Sequence, residues 1–229
     1  MSTAGASPKI LALDASTVTG RLVLWRGEDY LDAKLGGALH GEQLLDSITD
    51  LLRQAELELG DLDALAIVNG PGSLTGIRLA CAVGQALAWA HNLPVTPLNS
   101  LVALAWDRLA NTDGAILLDA RMGYCYVTRF CRGSWQAAET ASRHLPLDIL
   151  PQYLRHYADG QYPVLYHGRE DTLARLNSKQ NGLGQLQLVI TNPTAANLAE
   201  YAREKWRTGG CIPATALEPS YLAEWAARS

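Results

Sequence analysis

Asn69-Gly-Pro-Gly-Ser-Leu-Thr-Gly-Ile-Arg78 joins an apolar run to a long alanine-rich stretch, and the fold turns on how it is read. Before it, Leu62, Leu65, Ala66, Ile67 and Val68 make a short run with a β-branched end, the pattern of a buried strand. After it, Ile77 to Asn92 has few charges, many alanines and no proline, which predicts a helix. Glycines at the junction admit φ > 0, and Ser73 and Thr75 are placed to cap the helix start. A strand, a sharp turn and a helix N-terminus offering amides is the geometry of an anion site. The spacing departs from the familiar phosphate loops. Gly76 is followed by Ile77 and Arg78, without the Lys of a Walker A loop, and the turn follows a later strand than a dinucleotide fingerprint would. The plainer reading is a tight turn that brings helix and strand close together.

The helix carries a second signal. Ala80, Ala82, Gly84, Ala86, Ala88 and Ala90 leave much of it without bulk, while Leu79, Val83, Leu87 and Trp89 supply grip. It suits close packing against a partner helix or a place under the sheet, and opposite faces can serve both.

The chain has 229 residues, enough for one large core or two small ones. It is 48% hydrophobic and 18% charged, an ordinary globular composition. Apolar runs stay below the roughly 18 residues of a membrane span, and Met1 to Pro8 lacks the pattern of a signal peptide, so a cytoplasmic location is expected. A net charge of -4 argues against nucleic-acid binding through overall charge. Cys81, Cys125, Cys131 and Cys211 form no C-x-x-C pair, and reduced, partly buried thiols are expected.

Reading outward, Ile10 to Leu13 is a strand ending at Asp14, followed by a loop bearing Ser16 and Thr17 and a second strand at Arg21 to Trp25. Tyr30 to Leu35 would add a third, making an antiparallel meander. Leu44, Leu45, Ile48, Leu51, Leu52 and Ala55 recur at helical spacing, with His40 as a helix-start residue. Pro94 to Pro97 links the central helix to another at Leu101 to Leu109, capped by Asn99 or Ser100. Then the pattern restarts. Ala115 to Leu118 ends at Asp119, passes through Arg121 and Gly123, and enters a strand at Tyr124 to Phe130. The shared Asp-Ala pair predicts a duplication, with lobes at 1–110 and 111–229. A helix at Leu147 to Tyr157, strands at Val164 to Tyr166 and Leu186 to Ile190, and a helix capped by Asn192 with Pro193 first complete the second half.

Asp14 and Asp119, each at a strand end, serve two readings: carboxylates holding Mg²⁺ and a nucleotide, or caps that accept N–H bonds from their own loops. A serine hydrolase through Ser73 lacks the G-x-S-x-G elbow, and H-E-x-x-H is absent.

Together, Ile10-Leu-Ala-Leu-Asp-Ala-Ser16, Gly70-Pro-Gly-Ser-Leu-Thr-Gly-Ile-Arg78, Asp119-Ala-Arg-Met-Gly123 and Pro219-Ser-Tyr-Leu222 resemble the TsaB (YeaZ) family of tRNA threonylcarbamoyladenosine biosynthesis, over nearly the whole chain. The Gly-Pro-Gly-Ser loop is shared with the related transferase TsaD. The resemblance implies an α/β, two-lobed fold of the actin-like ATPase and sugar-kinase class, and a non-catalytic subunit that supports TsaD together with the ATPase TsaE. It implies a homodimer when alone, tRNA reached only through the complex, and no membrane. It also implies a vestigial nucleotide cleft at Asp14, Ser16, Thr17, Asp119, Arg121 and Gly123, with no cofactor required and ATP or ADP held at most at a subunit junction. The expected partner surface comprises Gly70, Gly72, Ser73, Thr75, Arg78, Cys81, Ala82, Gln85 and Trp89, joined by Leu44 and Ile48. TsaD-like enzymes hold metal with two His four residues apart, and none of His40, His91, His144, His156 and His167 is so spaced. Two departures, Tyr124 for an acidic residue and His167-Gly168-Arg169 for Gly-Asp-Gly, weigh against nucleotide contacts in the second lobe. Other readings are an ATP-dependent transferase or kinase of the same fold, and a peptidase of the glycoprotease-like group.

Overall fold

The structure, a computed structural model, describes residues 8–36, 41–157, 160–178 and 188–222. His40 lies outside the described residues, as do positions 186 and 187 of the expected strand. The chain forms two compact units. One comprises Met1–Ala103 with Pro193–Ser220, the other Leu104–Asn192 with Tyr221–Ser229.

In the first unit, β1 (Lys9–Asp14), β2 (Arg21–Arg26) and β3 (Asp29–Lys34) form the expected antiparallel meander. After α1 (Gly41–Gln54), β4 (Ala64–Gly70) pairs parallel to β1, α2 (Leu74–His91) follows, and β5 (Val95–Asn99) pairs parallel to β4. The order is β3-β2-β1-β4-β5. The stretch from Pro94 to Pro97, expected only to link two helices, thus enters a strand. It lies at the sheet end, where a proline without an N–H is tolerated. Asn99 caps α3 (Ser100–Leu109) by accepting from the Leu101 and Val102 amides at 2.9 and 3.3 Å.

The second unit repeats the plan with β6 (Gly114–Arg121), β7 (Tyr124–Phe130), α4 (Trp135–Thr140), β8 (Arg143–Pro146), α5 (Leu150–Tyr153), β9 (Val164–His167), α6 (Glu170–Leu176) and β10 (Leu188–Ile190). Its order, β8-β7-β6-β9-β10, matches the first sheet strand for strand, including two antiparallel and two parallel pairings. The duplication inferred from the Asp-Ala pairs is therefore topological, and both sheets share one α/β plan. The helix expected over Leu147 to Tyr157 is only α5 plus a 3-10 turn at Arg155–Tyr157.

The expected division at 110/111 differs from the observed one. α7 (Ala195–Arg207) follows the second sheet in sequence but packs on β1, β2 and β5 of the first. Local periodicity shows that α7 has an apolar face and says nothing of which sheet it covers. Its cap is Thr194, whose hydroxyl accepts from the Asn197 amide at 3.1 Å, and not Asn192. Pro193 instead offers its carbonyl to Arg21 Nε at 3.1 Å.

Each unit has its own core. Leu11, Leu13, Leu22, Leu24, Leu44, Ile48, Leu65, Ile67, Ile77 and Ala80 pack together in the first. Leu117, Val127, Leu145, Leu150, Leu154, Tyr166 and Leu176 do so in the second.

Candidate functional site

The turn between β4 and α2 is built for close approach of backbones. A Cβ on Gly76 would run into the Ala15 carbonyl, one on Gly72 into the Ser16 carbonyl, and one on Gly70 would lie 2.6 Å from the Ser220 carbonyl. Gly70 also has φ +131°, open to glycine and strained for other residues. The Gly70-Pro71 peptide is cis. The loop amides serve the protein itself. Ser73 N donates to Ser16 O at 2.7 Å, Gly76 N to Ser73 Oγ at 3.4 Å and Ile77 N to Ser73 O at 2.9 Å. The plainer reading of the glycines as packing residues thus has a structural cause, and three amides that a bound phosphate would recruit are committed elsewhere.

Asp14 is buried, and its Oδ1 accepts from Ser16 N at 2.8 Å and Ser16 Oγ at 2.6 Å. This is the loop-capping role. Thr17, half-buried, engages Thr19. In the second unit Asp119 sits near the end of β6 with its side chain 4% exposed. Its Oδ1 takes the Arg121 amide at 2.8 Å, and its Oδ2 takes Arg169 Nε at 2.7 Å and Thr172 Oγ1 at 3.2 Å. Burial pushes its pKa upward, but the Arg169 side chain, the Arg121 and Arg169 amides and the Arg169 charge outweigh burial and hold it below the usual carboxylate value. Arg121, Met122 and Gly123 all have positive φ and form the tip of the β6–β7 hairpin, with Met122 92% exposed. Arg169 is the residue that sequence reading missed as a partner. The signal was an Arg directly after the Gly that ends one strand, beside a parallel strand ending in Asp.

The α2 helix has two faces. Ile77, Ala80, Cys81, Gly84 and Ala88 are buried, with Gly84 admitting Ile67 so closely that a Cβ there would lie 2.6 Å from it. Thr75, Arg78, Ala82, Ala86 and Trp89 form an exposed stripe at helical spacing, extended by Leu74 at its start. Leu74 is 50% and Trp89 74% exposed. A cavity of about 460 Å³ opens beside Trp89, lined also by Asn92, Pro94, Cys211 and Pro213.

Of the expected partner surface, Thr75, Arg78, Ala82 and Trp89 face outward, and Ser73 caps the helix at its exposed edge. The rest is corrected. Leu44, Ile48 and Cys81 belong to the core of their own unit, where burial pushes the Cys81 thiol up to about 11. Gly70 is buried under the C-terminal segment, Gly72 lies against Ser16, and Gln85 donates to the Ala214 carbonyl at 3.1 Å. An apolar period in α1 identifies one helical face but not whether it looks inward. The outward apolar residue there is Leu45.

The C-terminal segment packs on α2 and bonds to the strands beside it. Ile212 bridges Val95 through bonds of 2.7 and 2.9 Å, covering the free edge of β5. Glu218 O accepts from Asn69 Nδ2 at 2.9 Å, and Ser220 N donates to Asn69 O at 2.7 Å. Among the described residues, no three His, Cys, Asp or Glu side chains come together as a metal-binding group.

Residues 34–142 match the family described as TsaD, tRNA N6-adenosine threonylcarbamoyltransferase. The chain is 27% identical over 221 residues to the tRNA threonylcarbamoyladenosine biosynthesis protein TsaB of Escherichia coli, covering 93% of this chain and 94% of that one. It is 35% identical over 127 residues to TsaB of Haemophilus influenzae, covering 54% of each. The solved structure of YeaZ from Pseudomonas aeruginosa superposes with a TM-score of 0.71 at 25% identity, covering 94% of this chain and all of that one. Over nearly its full length the chain is thus similar in sequence and in fold to the TsaB (YeaZ) proteins.

Proposed function

We propose that the chain works in tRNA threonylcarbamoyladenosine biosynthesis as the non-catalytic subunit that binds and supports the transferase TsaD, together with TsaE. Supporting this reading, its TsaB relatives are named for this pathway, and residues 34–142 resemble the transferase family. The observation that carries the partner role is the outer stripe of α2, where Leu74 and Trp89 stand exposed on either side of the small residues Ala82 and Ala86. Small residues let a second helix approach closely, and exposed apolar ends give it something to bury. A stable contact needs about 1,600 Å² of total buried surface, so α1, which packs beside α2 and exposes Leu45, joins it. The same face serves a homodimer when TsaD is absent, so the two assemblies compete. In this reading no cofactor is required, tRNA is reached only through the complex, and the protein acts in the cytoplasm. No described helix is long and apolar enough to cross a membrane.

The test is Ala82→Arg, which places a long cation where backbones meet. Burying it unpaired costs several kcal/mol. Sedimentation should show a monomer, co-elution with TsaD should be lost, and threonylcarbamoyl transfer by TsaD with TsaE should fall to its level without this subunit. Retention of both assemblies by the folded variant, repeated for Ala86→Arg and Trp89→Glu, would overturn the assignment. Transfer by this chain alone would overturn the non-catalytic role.

A further inference from the structure

The fold class implies a metal-bound nucleotide, and the second unit does not fit one. We propose that Arg169 and Asp119 stand in for the two charges such a ligand would bring, Arg169 in place of the cation and Asp119 in place of the phosphate. The unit is thereby closed to Mg²⁺-nucleotide by its own side chains.

The register sets this up. Leu118 pairs with His167 across the parallel β6–β9 ladder, so the next residues, Asp119 and Gly168, lie side by side where that ladder ends. A Cβ on Gly168 would collide with Asp119 Cβ and lie 2.6 Å from the Tyr166 hydroxyl, so only glycine lets the start of α6 settle against the carboxylate. Tyr166 fixes the turn by donating from its hydroxyl to Arg169 O at 2.8 Å.

A carboxylate offers about four acceptor directions. Asp119 receives the Arg121 amide, Arg169 Nε, Thr172 Oγ1 and, at 3.4 Å, the Arg169 amide. A cation approaching Asp119 therefore meets a guanidinium already bonded at 2.7 Å. The guanidinium is engaged at its other ends as well, through Nη2 to Thr172 Oγ1 at 3.2 Å and Nη1 to Asp171 at 3.4 Å. A phosphate approaching the turn before α6 meets the Asp119 carboxylate against the Arg169 amide, with like charge repelling it. This closure concerns nucleotide only and stands or falls apart from the partner role.

The experiment is calorimetry of the full chain with Mg²⁺-ATP and Mg²⁺-ADP, and thermal melting with and without millimolar Mg²⁺ or Mn²⁺. The wild type should give no saturable heat and no metal-dependent change in melting. Arg169→Ala frees the carboxylate, so metal should raise its melting temperature by about 2–4 °C. Arg169→Lys, which keeps a cation, and the double variant Asp119→Asn/Arg169→Ala should not respond. Wild-type binding of Mg²⁺-nucleotide with a Kd below about 100 μM, weakened tenfold or more by Asp119→Asn, would overturn the proposal. So would a folded Arg169→Ala protein indifferent to both metals. Should Arg169→Ala fail to fold, the calorimetry of the wild type and Asp119→Asn decides alone.

Discussion

The β4–α2 and β9–α6 junctions occupy the same place in the two sheets and are held by different physics. In the first, glycines at 70, 72 and 76 press backbone against backbone, and the bonds that tie turn to loop run between neutral groups, as from Ser73 N to Ser16 O. In the second, one glycine admits a carboxylate, and the turn closes through an Asp–Arg–Thr network. The first leads into an 18-residue helix with an exposed outer stripe, the second into a helix of 7 residues. A duplicated scaffold has kept the strand ends and the glycine while one copy became a steric joint and the other an ionic one. The two should therefore fail under different stresses.

The largest effect is expected at Gly76. A Val side chain would drive into the Ala15 carbonyl, a backbone atom that cannot step aside without moving the Asp14 loop. Overpacking against backbone at a buried site should cost on the order of 4 kcal/mol, seen as a large fall in the urea midpoint. A Gly76→Val protein with a wild-type midpoint would mean that the loop yields freely and that sterics do not hold this joint.

Asp119→Asn should cost less, about 2 kcal/mol, because it weakens charge-assisted bonds while leaving an acceptor in place. Its sharper signature is in pH. The folded-state pKa of Asp119 lies below the unfolded value, so its contribution is fully present above about pH 4 and is lost as pH falls through the depressed folded value. Wild-type stability followed from pH 6 to pH 2.5 should drop more steeply than that of Asp119→Asn. Parallel curves would show that the network adds nothing to stability, while Gly76→Val should shift the whole curve without changing its slope.

Much of this architecture is legible in local sequence. The hairpins at Asp14 and Asp119, the Gly-rich turn, the helix after it and the repeat of the Asp-Ala pair are signals of turn chemistry and periodicity, which act within a few residues. What is not legible depends on long-range pairing. α7 has a clear amphipathic pattern, yet nothing within 195–207 says that it crosses back to the first sheet. The Gly-rich turn looks alike whether it cradles a phosphate or a neighbouring carbonyl, and only the position of Ala15 and Ser16 separates the two. Leu44 and Ile48 share the period of an outward face but meet the core, because period fixes a face and not its direction. Arg169 stood out as a departure from the family pattern, but its bond to Asp119 required the register of β6 on β9.

The smallest effect separates backbone from side chain within the steric joint itself. Ser73 Oγ accepts from Gly76 N at 3.4 Å, a long bond, whereas Ser73 N reaches Ser16 O at 2.7 Å whatever side chain the residue carries. Ser73→Ala therefore removes the weaker of the two and leaves the tie to the Asp14 loop. It should cost about 0.5 kcal/mol, at the low end for N-caps, while Thr194→Ala at α7, whose cap bond is 3.1 Å, should cost about 1 kcal/mol. Both caps lie in the first unit, so urea midpoints of the two variants compare like with like. A Ser73→Ala loss above about 2 kcal/mol would reverse the order and make the hydroxyl, rather than the backbone contact, the element that holds this turn.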